Sequence, residues 1–242
     1  MTTLTKFTVA VILSLLFMSC NFDVNFNTGV KGNGNVSTVE RNLDGDFNQI
    51  EVSRGLDVYL TQSDTPLLKV QADENLHDII ITEIDNEVLK IYASENISRS
   101  EAQKVMVNVK DLNYILSESG SDVYSTNTIL ADNLKLVTTS GADMDLNIEV
   151  NTATCISESG SDLKVSGTTN DLSAEASSGS DIKAGKLKAQ NCVAEASSGA
   201  DIVVYSEVKL RANASSGGDI KYYGNPESVQ KSDGVSGDIR KM

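Results

Sequence analysis

Ser159-Gly160-Ser161-Asp162-Leu163 is one of six copies of a Ser-Gly-(Ser/Ala/Gly)-Asp-aliphatic motif. The others are Ser119-Gly120-Ser121-Asp122-Val123, Ser140-Gly141-Ala142-Asp143-Met144, Ser178-Gly179-Ser180-Asp181-Ile182, Ser198-Gly199-Ala200-Asp201-Ile202 and Ser216-Gly217-Gly218-Asp219-Ile220. A shortened seventh copy stands at Ser236-Gly237-Asp238-Ile239. Successive aspartates lie 21, 19, 19, 20, 18 and 19 residues apart. A turn that recurs about every 20 residues marks a solenoid.

Alignment on the aspartates shows which side faces in. Seven residues before Asp stand Ile115, Leu136, Cys155, Ala174, Ala194 and Ala212. Five before stand Ser117, Thr138, Ser157, Ala176, Ala196 and Ala214. One after stand Val123, Met144, Leu163, Ile182, Ile202 and Ile220. The columns between are polar or mixed. Alternation with period two means strands with one buried face. Repetition each turn means that like strands stack in parallel. The expected fold is therefore all-β: a parallel β-helix of ~20-residue coils, continuous over 36–242 and most regular over 116–242. Gly120, Gly141, Gly160, Gly179, Gly199 and Gly217 are expected at positive φ where each coil bends. The motif's Ser hydroxyl and the carboxylates of Asp122, Asp143, Asp162, Asp181, Asp201 and Asp219 are expected to satisfy backbone groups at the bend.

The 242 residues carry 20 basic and 34 acidic side chains, a formal charge of −14. That balance speaks against nucleic acid as a partner. Aromatic content is 5% and Trp is absent, so the core must be aliphatic. Lys6 and the apolar run Phe7 to Met18 read as an export signal, too short to span a bilayer. Leu16-Phe17-Met18-Ser19-Cys20 resembles a bacterial lipoprotein cleavage site, with Cys20 as the lipidated residue and the membrane as partner. Removing residues 1–19 leaves 19 basic and 34 acidic residues, a charge of −15. Residues 20–35, rich in Asn and Gly, read as a flexible tether. Cys155 and Cys192 belong to coils two apart, beyond disulfide reach at strand spacing, and are expected as free buried thiols.

Upstream, in the β-rich part 36–115, Ser53-Arg54-Gly55-Leu56-Asp57-Val58 matches the motif as an outlying copy, 65 residues or about three periods before Asp122. Leu67–Val70, Val88–Tyr92 and Val105–Val109 read as strands. Asp73-Glu74-Asn75, followed by the apolar run to Ile84, predicts one short helix.

With Gly32-Asn33-Gly34-Asn35-Val36, Phe47-Asn48-Gln49-Ile50-Glu51-Val52-Ser53, Gly55-Leu56-Asp57-Val58-Tyr59-Leu60, Ala72-Asp73-Glu74-Asn75-Leu76 and the Ser-Gly-x-Asp coils, the chain resembles the head GIN domain family over roughly 36–240. These are adhesin-like exported proteins of Bacteroidetes-type bacteria. The resemblance implies a β-helical fold and supplies no catalytic residues.

One carboxylate per coil invites a calcium ladder, but calcium takes six to eight oxygens. The motif has one reliable Gly and not the period of calcium-binding solenoids. Neither metal nor cofactor is therefore expected. His77 is the single histidine and lacks a nucleophile-elbow context. The acids are dealt out evenly by the repeat, so no isolated carboxylate pair for glycoside cleavage stands out. The sequence thus favours a non-catalytic envelope lipoprotein that binds a glycan or protein, or stiffens the envelope. The competing expectation is a periplasmic carbohydrate-processing enzyme on the same scaffold. Oligomeric state is left open.

Overall fold

The computed structural model describes residues 29–234 and 236–242. Cys20 and the export signal lie outside the described residues. Seventeen strands join in one sheet that winds into a β-helix. Where the motif repeats, the coils pair in parallel and in register. Asp143–Glu158, Asp162–Ser177, Asp181–Ala196 and Asp201–Ala214 each run through a full flank of the rod. The alternation read from the sequence becomes a column of buried side chains, among them Val123, Met144, Leu163, Ile182, Ile202 and Ile220. Cys155 and Cys192 are free and buried, and burial pushes both thiols up to about 12.

The upstream part follows a different plan. Asp57 pairs directly with Asp122, and Lys104 pairs with Asp57. The 64 intervening residues therefore insert no coil between the two aspartates. Instead the chain climbs back over its own start. Val88–Ala93 and Gln103–Val109 stack in parallel on Gln49–Ser53 and Asp57–Gln62, one level above them. Leu68–Asp73 and Ile80–Asp85 then pair antiparallel to that top level, and Val36–Glu40 pairs antiparallel to Leu68–Asp73. These antiparallel strands close the N-terminal end of the rod.

The expected short helix is absent. Glu74–Leu76 makes one 3-10 turn, after which the chain enters the strand Ile80–Asp85. The β-branched run Ile79-Ile80-Ile81-Thr82 suits a pleated surface better than a helix. The described end of the expected tether is also not free. Val30–Lys31 pairs with Ile97–Arg99, and Gly32 donates its N–H to the carbonyl of Arg99 at 2.8 Å.

Asp73 holds this end together. It is 1% exposed and accepts backbone N–H bonds from Gly34 (2.8 Å), Glu101 (3.0 Å) and Ala102 (3.1 Å). Burial disfavours its charge, but the three donors outweigh burial and hold the carboxyl below its usual range. Arg41 is a second clamp, donating to the carbonyls of Ile80 (2.6 Å) and His77 (2.8 Å) and to Thr82 Oγ1 (3.1 Å).

Candidate functional site

The motif forms one edge of the rod. In each of the six full copies the Ser takes φ of 51–58° and the Gly φ of 68–78°. Two left-handed residues in succession are the φ pattern of a type I′ turn. The closing bond is present at Ser121 N–H to Glu118 O (3.3 Å) and at Gly218 N–H to Ser215 O (2.9 Å). No atom lies within 4 Å of where a Cβ on Gly160 would stand. Glycine is there for its φ and not for space. The turns also stack. Gly120 donates to Ser140 O, Gly141 to Ser159 O, Gly160 to Ser178 O, Gly179 to Ser198 O and Gly199 to Ser216 O, all at 3.1–3.2 Å.

The hydroxyl that serves each turn is not the one expected from sequence. The motif's first Ser spends its conformational freedom on positive φ. The work falls to the next serine along and to the column five before Asp. Ser121 Oγ accepts from the N–H of Gly55 (3.0 Å) and of Leu56 (3.3 Å). Ser161 Oγ donates to Glu158 O at 2.8 Å, and Ser180 Oγ donates to Ser157 O at 2.6 Å. Ser117, Thr138, Ser157, Ser121, Ser161 and Ser180 are all buried. They form a file of hydroxyls under the turns, which alanines replace at 176, 196 and 214.

Eight aspartates, with Lys104 above them, form a single ladder of nine rungs: Lys104, Asp57, Asp122, Asp143, Asp162, Asp181, Asp201, Asp219 and Asp238. The carboxylates of Asp122, Asp162, Asp181, Asp219 and Asp238 find side-chain partners beside the ladder. Tyr124 donates its hydroxyl to Asp122 at 3.1 Å. Lys183 bridges Asp162 (2.7 Å) and Asp181 (3.4 Å), and Arg240 meets Asp219 (3.9 Å) and Asp238. At the upper rungs burial raises the carboxyls of Asp57, Asp122 and Asp143, and neighbouring ladder charges add to the rise at Asp122 and Asp143. Burial and the Asp122 charge push Tyr124 up to about 12. Among the described residues no three His, Cys, Asp or Glu side chains converge as a metal site.

Next to the ladder runs a column of exposed or half-buried side chains. At its upper end Tyr59 and Tyr124 stack with centroids 5.3 Å apart, and Lys104 lies 5.7 Å from the Tyr59 ring. Sequence reasoning passed over this column because its members change type from rung to rung. Their common offset of two residues after Asp was the signal available. His77 stands far from the ladder, at the end of the 3-10 turn. Its Nε2 is 3.0 Å from Ser37 Oγ, while its buried Nδ1 meets no partner. A Ser-His pair with no acid behind the imidazole lacks the group that orients the base in a triad.

A sequence profile described as "putative auto-transporter adhesin, head GIN domain" matches residues 46–226. The chain belongs to the head GIN domain family. Among solved structures, a putative adhesin from Bacteroides fragilis superposes with a TM-score of 0.81 at 22% identity, covering 88% of this chain and 100% of its own. A putative lipid binding protein from Parabacteroides distasonis gives 0.71 at 25% identity, with 88% and 99% covered. A putative adhesin from Parabacteroides merdae gives 0.68 at 22% identity, with 88% and 98% covered. No curated protein matches the chain. The family is described as adhesin-like, which fits an exported or cell-surface protein, and the three solved structures share this fold along nearly their whole length. Among the described residues no helix is long and apolar enough to cross a membrane.

Proposed function

We propose that the mature protein is a non-catalytic, adhesin-like binding rod of the cell envelope, anchored by a lipid on Cys20. The observation that carries this reading is the polarity of the rod. Its N-terminal end is closed by antiparallel strands and receives residues 29–35 there, while the repetitive coils extend away. Eight intervals between rungs at ~4.8 Å give a rod of about 38 Å. The segment between Cys20 and Gly29 adds a tether of up to about 30 Å when extended. Stacked turns and a continuous core make such a rod stiff, so that its flanks are presented at a distance from the membrane. Even spacing of the acids and the incomplete Ser37–His77 pair support binding over catalysis.

Protease shaving of intact cells tests this, with a known periplasmic protein as the leakage control. Release of peptides from the coils at 116–242 is the expected outcome. Protection until the outer membrane is opened would overturn the surface-presented rod and point to periplasmic partners.

A further inference from the structure

The coils slip in register along one stretch of the exposed flank. Asp162 to Asp181 spans 19 residues, Asp181 to Asp201 spans 20 and Asp201 to Asp219 spans 18. The structure shows where the extra residue goes. Between Asp162–Ser177 and Asp181–Ala196 the register shifts after Lys164, so that Ser166 faces Lys186. Between Asp181–Ala196 and Asp201–Ala214 it jumps from Ala184↔Val204 to Lys188↔Tyr205. Gly185, Lys186 and Leu187 thus form a bulge, a device that redirects side chains and is over-represented beside binding sites.

The bulge opens a groove of about 550 Å³, within the usual size of ligand sites. Its carbon-rich lining comes from Val203, Tyr205, Tyr223 and the lysine stems. Tyr223, 41% exposed, reaches across Val203 toward Gly185. A Cβ on Gly185 would lie 3.0 Å from Val203 Cγ1 and 3.2 Å from the Tyr223 ring. The Tyr205 hydroxyl is held by Glu207 at 3.3 Å. One rim is a row of ion pairs, Lys164–Asp145 (2.6 Å) and Lys183–Asp162 (2.7 Å). Lys186, on the bulge, is exposed and forms no ion pair among the described residues.

We infer that this groove binds a short oligosaccharide carrying a carboxylate, of the uronic-acid kind. The inference rests on the binding-rod reading and supplies its ligand class. Three features select this occupant. Tyrosine rings offer a flat apolar surface with a polar tip, which matches the C–H face of a pyranose. The Asp–Lys row offers acceptors and donors, in alternation, to the hydroxyls on the ring's perimeter. Of the three lysines that line the groove, Lys186 is the one without an ion pair among the described residues, and it faces a ligand carboxylate. An acyl chain fits less well, because the groove is open to solvent and would leave part of the chain's carbon in water. The groove lies between the fifth and eighth rungs of nine, away from the end that receives residues 29–35.

The test uses the mature chain, residues 20–242 with Cys20→Ser, which carries no lipid and needs no detergent, on an array of neutral and uronate-bearing oligosaccharides. Titration calorimetry then follows with the strongest acidic trisaccharide and its neutral counterpart, and phosphatidylglycerol vesicles serve as a third probe. The expected result is binding of the acidic trisaccharide. Tyr223→Ala weakens both saccharides about tenfold. Lys186→Ala weakens the acidic one alone. Tyr59→Ala, on the same flank but outside the groove, changes neither. Equal thermal unfolding of the variants excludes a folding defect. Absence of saccharide binding, binding indifferent to Tyr223, or binding of vesicles alone overturns the inference. The shaving experiment is independent of these side chains. A surface-exposed rod with an indifferent Tyr223 would sink the groove and leave the rod reading intact. A protease-protected rod whose saccharide binding needs Tyr223 would do the reverse.

Discussion

The two ends of this rod solve the same problem by different means. Every solenoid leaves an open sheet edge and an unfinished core at each end. At the N-terminal end the chain folds back and covers the edge with antiparallel strands, fixed by Asp73 and Arg41. At the C-terminal end nothing among the described residues covers Ser228–Asp233 or Asp238–Lys241. There the core is terminated by composition. The inward columns that hold Ala212 and Ala214 receive Lys231 and Asp233 one coil later. Lys231 turns back over the end, its Nζ 4.9 Å from the Tyr222 ring centroid and 3.1 Å from Ile239 O. An inward-pointing charge blunts an edge because a further coil would have to bury it. One end is closed by topology and the other by charge.

The sharpest way to break the comparison is at the charged end. Lys231→Leu combined with Asp233→Leu restores apolar core columns to the last coil. End-to-end association is the expected result, seen by light scattering as a doubling of mass over wild type. An unchanged mass would show that charge is not what stops the stack. At the closed end, Asp73→Ala leaves the N–H donors of Gly34, Glu101 and the buried Ala102 without their acceptor. Its expected cost is about 3 kcal/mol, with urea unfolding as the readout and the end near residues 29–40 opening first by hydrogen exchange.

Between the ends, two glycines with positive φ separate sterics from conformation. Gly167, at φ 115°, would place a Cβ on the carbonyl oxygen of Ile148 in the coil above, so Gly167→Ala is expected to cost about 2 kcal/mol or more. Gly160, at φ 69° with open space around it, is expected to cost about 1 kcal/mol on change to Ala. Equal effects on thermal unfolding would refute the division.

The smallest effect is electrostatic, and it has opposite signs at the Asp73 clamp and on the upper rungs of the ladder. Asp73 has a depressed carboxyl, so its stabilisation is complete above the ordinary Asp range and is lost as pH falls through its folded value. Asp57, Asp122 and Asp143 are raised, so their ionisation costs stability at neutral pH, and that cost is relieved as pH falls through their folded values. Asp143→Asn removes one such exposed charge. A gain of about 0.5 kcal/mol at pH 7 is expected, screened by salt, and the gap from wild type should close on acidification toward the ordinary Asp range.

The sequence was most legible where the chain repeats itself. Six copies of one motif, with apolar columns at fixed offsets, specify parallel coils because every coil must satisfy the same neighbours. The same regularity concealed local exceptions. The type I′ geometry, with Ser as well as Gly at positive φ, is invisible to residue counting because Ser is a common turn residue in any conformation. The stretch between the Asp57 motif and the one that begins at Ser119 shows no repeat, and periodicity alone could not tell inserted coils from a cap.

By itself, then, the sequence determined the solenoid, its inward columns, the unpaired buried cysteines and the family, since all of these follow from short-range pattern. Tertiary structure alone decided that Asp57 sits beside Asp122, that Asp73 is a buried clamp and not a helix start, and that a slip in register between coils opens a groove under Tyr223. Each of these depends on which distant strands pair and in what register. That is settled by the edge left open and the core left to fill, and no local window of sequence contains either.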